Sequence, residues 1–289
     1  MPDAMIVPLA VATFLSVAVA ASHRLLPPAL ATRSTAIGVV VVVAAGVPTV
    51  WMTGIGYLAH APVVGGWLDS CAESLGEHHG ISPWLGLPAL VLSVVGLIRA
   101  TGRLRTYLAV RQAEGGIHIV EHDEMFAFTV PGKGGRIVLS DALYDRLSAD
   151  ERTVVLAHEA AHARHRHDRY LIAAELAAAL LSPLRVLVRR LQFSIERWAD
   201  EEAAAACGDR ELVFRTLGRV ALYSSQTAPS LAFAGLGVPA RMGALKSPPV
   251  PEPRSRARAV LWLAISLTGV FAAFQLHHLV EMLLAYCPG

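Results

Sequence analysis

Four apolar stretches of this chain, residues 5–21, 36–59, 81–98 and 260–276, contain no Asp, Glu, Lys or Arg. A helix needs about 20 apolar residues, with a range of about 17–25, to cross the hydrocarbon of a bilayer. These runs therefore predict four transmembrane helices, at about 4–22, 36–59 and 81–99 and from 259 onward. The rest of the chain must fold around them. Overall the sequence is 54% hydrophobic and only 17% charged, and its charge lies mainly in the middle of the chain. Ala18-Val19-Ala20 resembles a signal-peptide cleavage site, but residues 1–5 contain Asp3 and no Lys or Arg. A signal peptide wants a positive start, so we expect an uncleaved span.

Positive charge sets the expected orientation. Arg24 and Arg33 follow the first run, Arg99, Arg103, Arg105 and Arg111 follow the third, and Arg254, Arg256 and Arg258 precede the fourth. The stretch 61–80 has Asp69, Glu73 and Glu77 and no Lys or Arg. The positive-inside rule then puts both termini outside and the block 100–258 in the cytoplasm of a multi-pass cell-membrane protein. Cys71 and Cys287 would share the outer side, where either a disulfide between them or two free thiols is expected. The net charge of +2 and the lack of a basic stripe with interleaved aromatics argue against direct nucleic-acid binding.

The middle block reads as mainly α with a small β-sheet. Strand-like runs occupy 117–121 and 125–130. A Gly-rich turn follows at 131–135, with a partner strand at 136–139. Short helical signals lie at 141–147. Ser148-Ala149-Asp150-Glu151 is a capping box opening a helix to about Arg166. Further helices are predicted over 170–181, from the Ser182-Pro183 start to a Gly208 stop, and over 210–224. The Gly- and Pro-rich segment 235–253 reads as a loop. A sheet edge beside the site could align an extended peptide.

The capped helix carries His158-Glu159-Ala160-Ala161-His162. Positions i and i+4 share one helical face, so both imidazoles can reach one metal ion. Glu159 lies beside that face and can take a proton from water on the metal, the pattern of a zinc hydrolase with Glu159 as general base. A catalytic zinc wants a third protein ligand and an open position. His165 lies about 10 Å further along the helix axis, too far to share a tetrahedral ion with His158. The third ligand must therefore come from elsewhere, and Glu175 and Glu196 are the candidates. Glu196 is favoured because Asp200 follows at i+4, where it could accept the free N–H of a ligating histidine. Arg219 and Tyr223, downstream, carry side chains of the kind that stabilise an oxyanion.

The His158–His162 motif, the basic stretch ending at Asp168, Ser182-Pro183 and Glu196-x-x-Ala199-Asp200 together resemble the BlaR/MecR family of membrane metallopeptidases and, more distantly, the HtpX-type membrane proteases. That resemblance implies a gluzincin site: His158, His162 and Glu196 as zinc ligands, Glu159 as catalyst and Asp200 behind them. It also implies three transmembrane helices over 1–99, a cytoplasmic peptidase domain over 100–258, and a fourth helix with a short external tail over 259–289. The expected function is an endopeptidase that cleaves a transcriptional repressor or itself. The alternatives are general quality control of membrane proteins and a non-enzymatic signalling protein braced by zinc. The chain departs from the family's pattern in having Ala199 before the Asp, and no external penicillin-binding sensor domain is expected.

Overall fold

The computed structural model describes residues 25–59, 82–111, 113–227 and 237–251, with single residues of the stretches 10–21 and 255–280. Two of its helices are long and apolar enough to cross a membrane: α1 (Pro28–Ala59) and α2 (Pro83–Val110). Most of the first and fourth expected spans and the Cys71–Cys287 pairing lie outside the described residues. Ala272 of that fourth run is buried against Val41 and Ala45 of α1.

Both helices outrun the apolar segments that predict them. α1 begins two turns earlier than residue 36, at a proline suited to a first helical turn. Arg33, expected in a connection, therefore sits on the helix. The turn is polar in sequence yet buried in structure: Thr32, Ser34 and Thr35 are all at most 1% exposed. Ser34 Oγ donates to the carbonyl of Leu30 at 2.8 Å, the local bond that lets a hydroxyl live inside a helix. α2 continues past Ile98 through Arg99, Arg103 and Arg105. Twenty-eight residues make about 42 Å of helix, more than the roughly 30 Å of hydrocarbon, so the arginines extend beyond a span. Half of the most apolar window of α1 is buried within the protein, against 17% for α2, which exposes Trp84, Leu85, Val91 and Ile98.

A three-stranded sheet follows. β1 (Ala113–Val120), β2 (Ala127–Val130) and β3 (Gly132–Ser140) take the order β1-β3-β2, with β1 parallel and β2 antiparallel to β3. Val130 pairs with Arg136, so residues 131–135 do form the expected hairpin turn, but Gly132 and Lys133 also pair with β1. Gly135, at φ +70°, makes the turn possible and lets it lie on the helix that carries Ala163: a Cβ there would come within 2.5 Å of the Ala163 Cβ.

Then come α3 (Asp141–Arg146), α4 (Ala149–Arg164), α5 (His167–Leu180), a 3-10 turn (Ser182–Leu184), α6 (Arg185–Cys207), α7 (Arg210–Thr227) and α8 (Val238–Lys246). Ser182 does not cap α6 as its sequence suggests. Pro183 closes a 3-10 turn instead, and α6 starts at Arg185 with no side-chain cap. Gly208 ends α6 in the left-handed conformation, at φ 66°. The segment 235–253 is not all loop: Gly237 and Pro239 start α8, and Lys246 stands in its last turn.

Two clusters hold α4 in place, and a third joins the helices beside it. Leu139, Leu143, Leu147 and Val155 pack it on the sheet and α3. Val154, Ala203, Val213 and Leu245 pack it against α6, α7 and α8. Ala174, Ala177, Leu187, Leu191 and Ile195 join α5 to α6 and close over Ala36, Val39 and Val42 of α1. Burial of each such leucine contributes about 1.5–3 kcal/mol. The helix bearing the histidine pair is therefore fixed from both sides.

Candidate metal centre

The capping box sets where α4 begins. Ser148 Oγ accepts from the amide of Glu151 at 3.3 Å, and Glu151 Oε2 accepts from the amide of Ser148 at 2.9 Å. From that start, His158, Glu159 and His162 emerge where α4 crosses α6. The structure brings His158, His162 and Glu196 together, with one donor atom from each within 4.8 Å of the others. His158 Nε2 lies 3.1 Å from His162 Nε2 and 3.5 Å from Glu196 Oε2, and His162 Nε2 lies 3.7 Å from Glu196 Oε1. A tetrahedral ion with bonds of about 2.1 Å needs donors about 3.4 Å apart. The separations lie near that value, with the two imidazoles facing different oxygens of one carboxylate, so the donor set suits zinc in chemistry and lies within reach of a single ion.

Behind the donors stands a ring of charge. Asp200 Oδ1 lies 3.1 Å from His158 Nδ1, the relation read from its i+4 spacing to Glu196. Arg241, from α8, grips both acids: its Nε and Nη2 donate to Asp200 at 2.8 and 2.7 Å, and its Nη1 lies 2.8 Å from Glu196 Oε2. Arg241 is 6% exposed and Asp200 3%, and charges buried that deeply are tolerable only when paired. Burial opposes a charge on Glu196 and Asp200, but Arg241 first, then the imidazoles, hold both carboxyls below their ordinary range. Burial likewise opposes a charge on His158, yet its hydrogen bonds to Asp200 and Glu196 outweigh that and raise its pKa to about 10. Burial, only partly offset by Glu196, keeps His162 below the usual imidazole range.

His162 has its own outer partner. His167 Nδ1 lies 3.0 Å from His162 Nδ1, on a ring that is 1% exposed. Burial, with the His162 and His165 rings beside it, pushes the His167 pKa down to about 3. Glu159 is 8% exposed, and the Thr129 hydroxyl of β2 lies 2.8 Å from its Oε2 and 2.9 Å from its backbone oxygen. A cavity of about 750 Å³ opens over the group, lined largely by apolar side chains such as Met125, Phe126, Phe128, Leu171 and Val220, with Tyr107 of α2 on one wall.

The other candidates lie elsewhere. Glu175 pairs with Arg103 of α2. His165 stacks on Trp198, with ring centroids 4.4 Å apart, and meets Glu202 at 3.2 Å. Arg219 pairs with Glu151 at 2.7 Å, and Tyr223 packs in the cluster beneath the sheet, under Arg146. Neither Arg219 nor Tyr223 is among the residues that line the cavity. The sequence reading missed Arg241 and His167. A signal existed for Arg241: two acids on one buried face demand a cation, and Gly237, Pro239 and Lys246 punctuate a short helix around it. None existed for His167, whose i+5 offset from His162 matches no helical face.

No curated protein and no solved structure matches this chain. The model of peptidase family M48 matches residues 108–257, just over half of its length. That match takes in all of the strands and every helix from α3 to α8. It agrees with the sequence-based resemblance to membrane metallopeptidases of the BlaR and HtpX type, and it implies metal-dependent peptide hydrolysis. The chain belongs to peptidase family M48.

Proposed function

We propose that this protein is a membrane-embedded zinc endopeptidase whose metal ligands are His158, His162 and Glu196 and whose general base is Glu159. The observation that carries the reading is the set of 3.1, 3.5 and 3.7 Å donor separations, with Glu159 alongside and a cavity opening over them. Three protein donors facing a cavity fit a catalytic site, which keeps one position open, better than a structural one, which fills all four.

Bound zinc would supply Lewis acidity toward water and the scissile carbonyl. Glu159 takes a proton from the attacking water as the new C–O bond forms, and then passes it to the leaving amine nitrogen as the C–N bond breaks. Thr129 holds Glu159 in place; its single hydroxyl proton serves either Oε2 or the backbone oxygen, and Glu159 lines the cavity. Asp200 fixes the Nδ1–H tautomer of His158, and Arg241 holds Asp200 and Glu196. β2 is an edge strand of the sheet along the cavity wall, and an extended substrate could pair with it as a further strand.

The arginines in the last turns of α2 and just after it, with those that precede residue 259, support a cytoplasmic site over 100–258 in a four-span protein. The proposed substrate is a cytoplasmic regulator, such as a repressor, or the chain itself. Tyr107 of α2 on the cavity wall also favours a second reading, the clearance of membrane-protein segments. Glu159→Gln separates these. The variant should retain stoichiometric zinc and lose cleavage, and the proteome of its host should show either one stabilised DNA-binding protein or many membrane fragments. Cleavage undiminished in Glu159→Gln removes Glu159 from its role.

A further inference from the structure

The geometry points to His167 as the positioning residue that fixes the tautomer and orientation of His162, a role parallel to that of Asp200 toward His158. It rests on the reading of His162 as a metal ligand and adds a residue to the machinery.

Two ring nitrogens 3.0 Å apart, His162 Nδ1 and His167 Nδ1, must share one proton. Two lone pairs would repel, and two N–H groups would collide. If the proton sits on His167, a neutral His162 carries its own proton on Nε2, the atom that faces His158 Nε2 and Glu196. If it sits on His162 Nδ1, Nε2 keeps its lone pair and can bind metal. Only the second arrangement is compatible with the donor set, and it makes His167 Nδ1 an acceptor. Ligating histidines generally donate their other N–H to a fixed partner, and that partner sets ring orientation and basicity.

The surroundings of His167 suit an acceptor held in one pose. The His162 ring meets it edge-on, at 4.8 Å and 86°, and Trp198 and His165 pack on it with centroids at 4.9 and 5.8 Å. Its Nε2 has no hydrogen-bond partner among the described residues, so the contact to His162 is the polar interaction that orients it. The backbone is bent to deliver this ring. Arg166, just before it, has φ 52° and ψ 48° and is the sole non-glycine residue with positive φ among those described. Such a conformation costs roughly 1–2 kcal/mol and persists where the surrounding structure demands it. Here it turns the chain from α4 into α5 and folds His167 back over His162.

The test uses the purified full chain as wild type, His167→Leu and His167→Asn. Leucine keeps bulk and loses the acceptor; asparagine offers Oδ1 near the position of Nδ1. Zinc affinity is read by chelator competition and ligand geometry by the visible spectrum of the cobalt form. His167→Leu should bind zinc about 10- to 100-fold more weakly and alter the cobalt spectrum, while His167→Asn should stay close to wild type in both. Wild-type affinity in a folded His167→Leu protein overturns the assignment. So does equal loss in the two variants, which would mark a packing role. A wild type that binds no zinc would instead overturn the metal site itself. Should His167→Leu not fold, the histidine ¹⁵N spectrum of the zinc-loaded wild type decides: an unprotonated His167 Nδ1 supports the role and a protonated one refutes it.

Discussion

Arg241→Leu tests whether the charge ring, and not the apolar packing of α8, holds the centre together. In the metal-free protein Arg241 and a protonated His158 face Glu196 and Asp200, two charges of each sign. Removing the guanidinium deletes two hydrogen bonds of 2.8 and 2.7 Å to an aspartate that is 3% exposed, together with a 2.8 Å contact to Glu196. One buried carboxylate is then left without a counter-charge. Breaking a buried pair in this way costs about 3–5 kcal/mol. For a domain of this size each kcal/mol shifts Tm by about 2–4 °C, so a fall of roughly 6–20 °C is expected in a fluorescence melt of the metal-free chain. Two controls distinguish charge from packing. Asp200→Asn combined with Arg241→Leu removes both partners, so the double variant should be less destabilised than the sum of the single ones by about 2 kcal/mol or more. Zinc brings two positive charges to the same carboxylates and should restore much of the lost Tm. A metal-free Arg241→Leu protein that melts within about 3 °C of wild type, or additive effects in the double variant, would refute this account of the ring.

Four further outcomes are expected. His158 is raised to about 10 in the metal-free fold, so its contribution to stability is present in full below its ordinary pKa of 6.5 and is lost as pH rises toward 10; melts of the metal-free chain should show that decline. Zinc must displace the same proton, so its affinity should rise about tenfold per pH unit between pH 7 and 9, with one proton released in calorimetry run in buffers of different ionisation enthalpy. Thr129→Val should lower kcat with little change in KM, because the hydroxyl steadies Glu159 at 2.8 Å rather than binding substrate. Ser148→Ala should cost about 1 kcal/mol in thermal melts by uncapping α4, without changing zinc stoichiometry.

What could be read from the sequence was what local chemistry decides. The Ser148–Glu151 box starts α4, Gly208 stops α6, and the i+4 spacings of His158 with His162 and of Glu196 with Asp200 place paired groups on one face of a helix whatever the rest of the fold does. Hidden were features that only tertiary packing decides. The first turns of α1 look too polar to extend an apolar helix, yet Ser34 bonds within its own helix and Thr32 and Thr35 are buried with it. Ser182 has the identity of a cap, but Leu181 is extended and Pro183 closes a tighter turn, so the cap is never used. The two residues missed at the site fail for different reasons. Arg241 is implied by electrostatics without being located: two buried acids require a cation, and 25 Lys and Arg residues could have supplied it. His167 is located by one backbone conformation at Arg166 that propensity disfavours for every residue except Gly and, less strongly, Asn or Asp. A motif search finds donors because ligands on one helix obey its period. The residues that orient those donors come from α8, from the α4–α5 turn and from β2, and nothing in a period of 3.6 relates those elements to α4. Sequence spacing finds an outer partner such as Asp200 that shares a helix with a ligand; partners on other elements should be sought by asking which buried charge or ring nitrogen still lacks one.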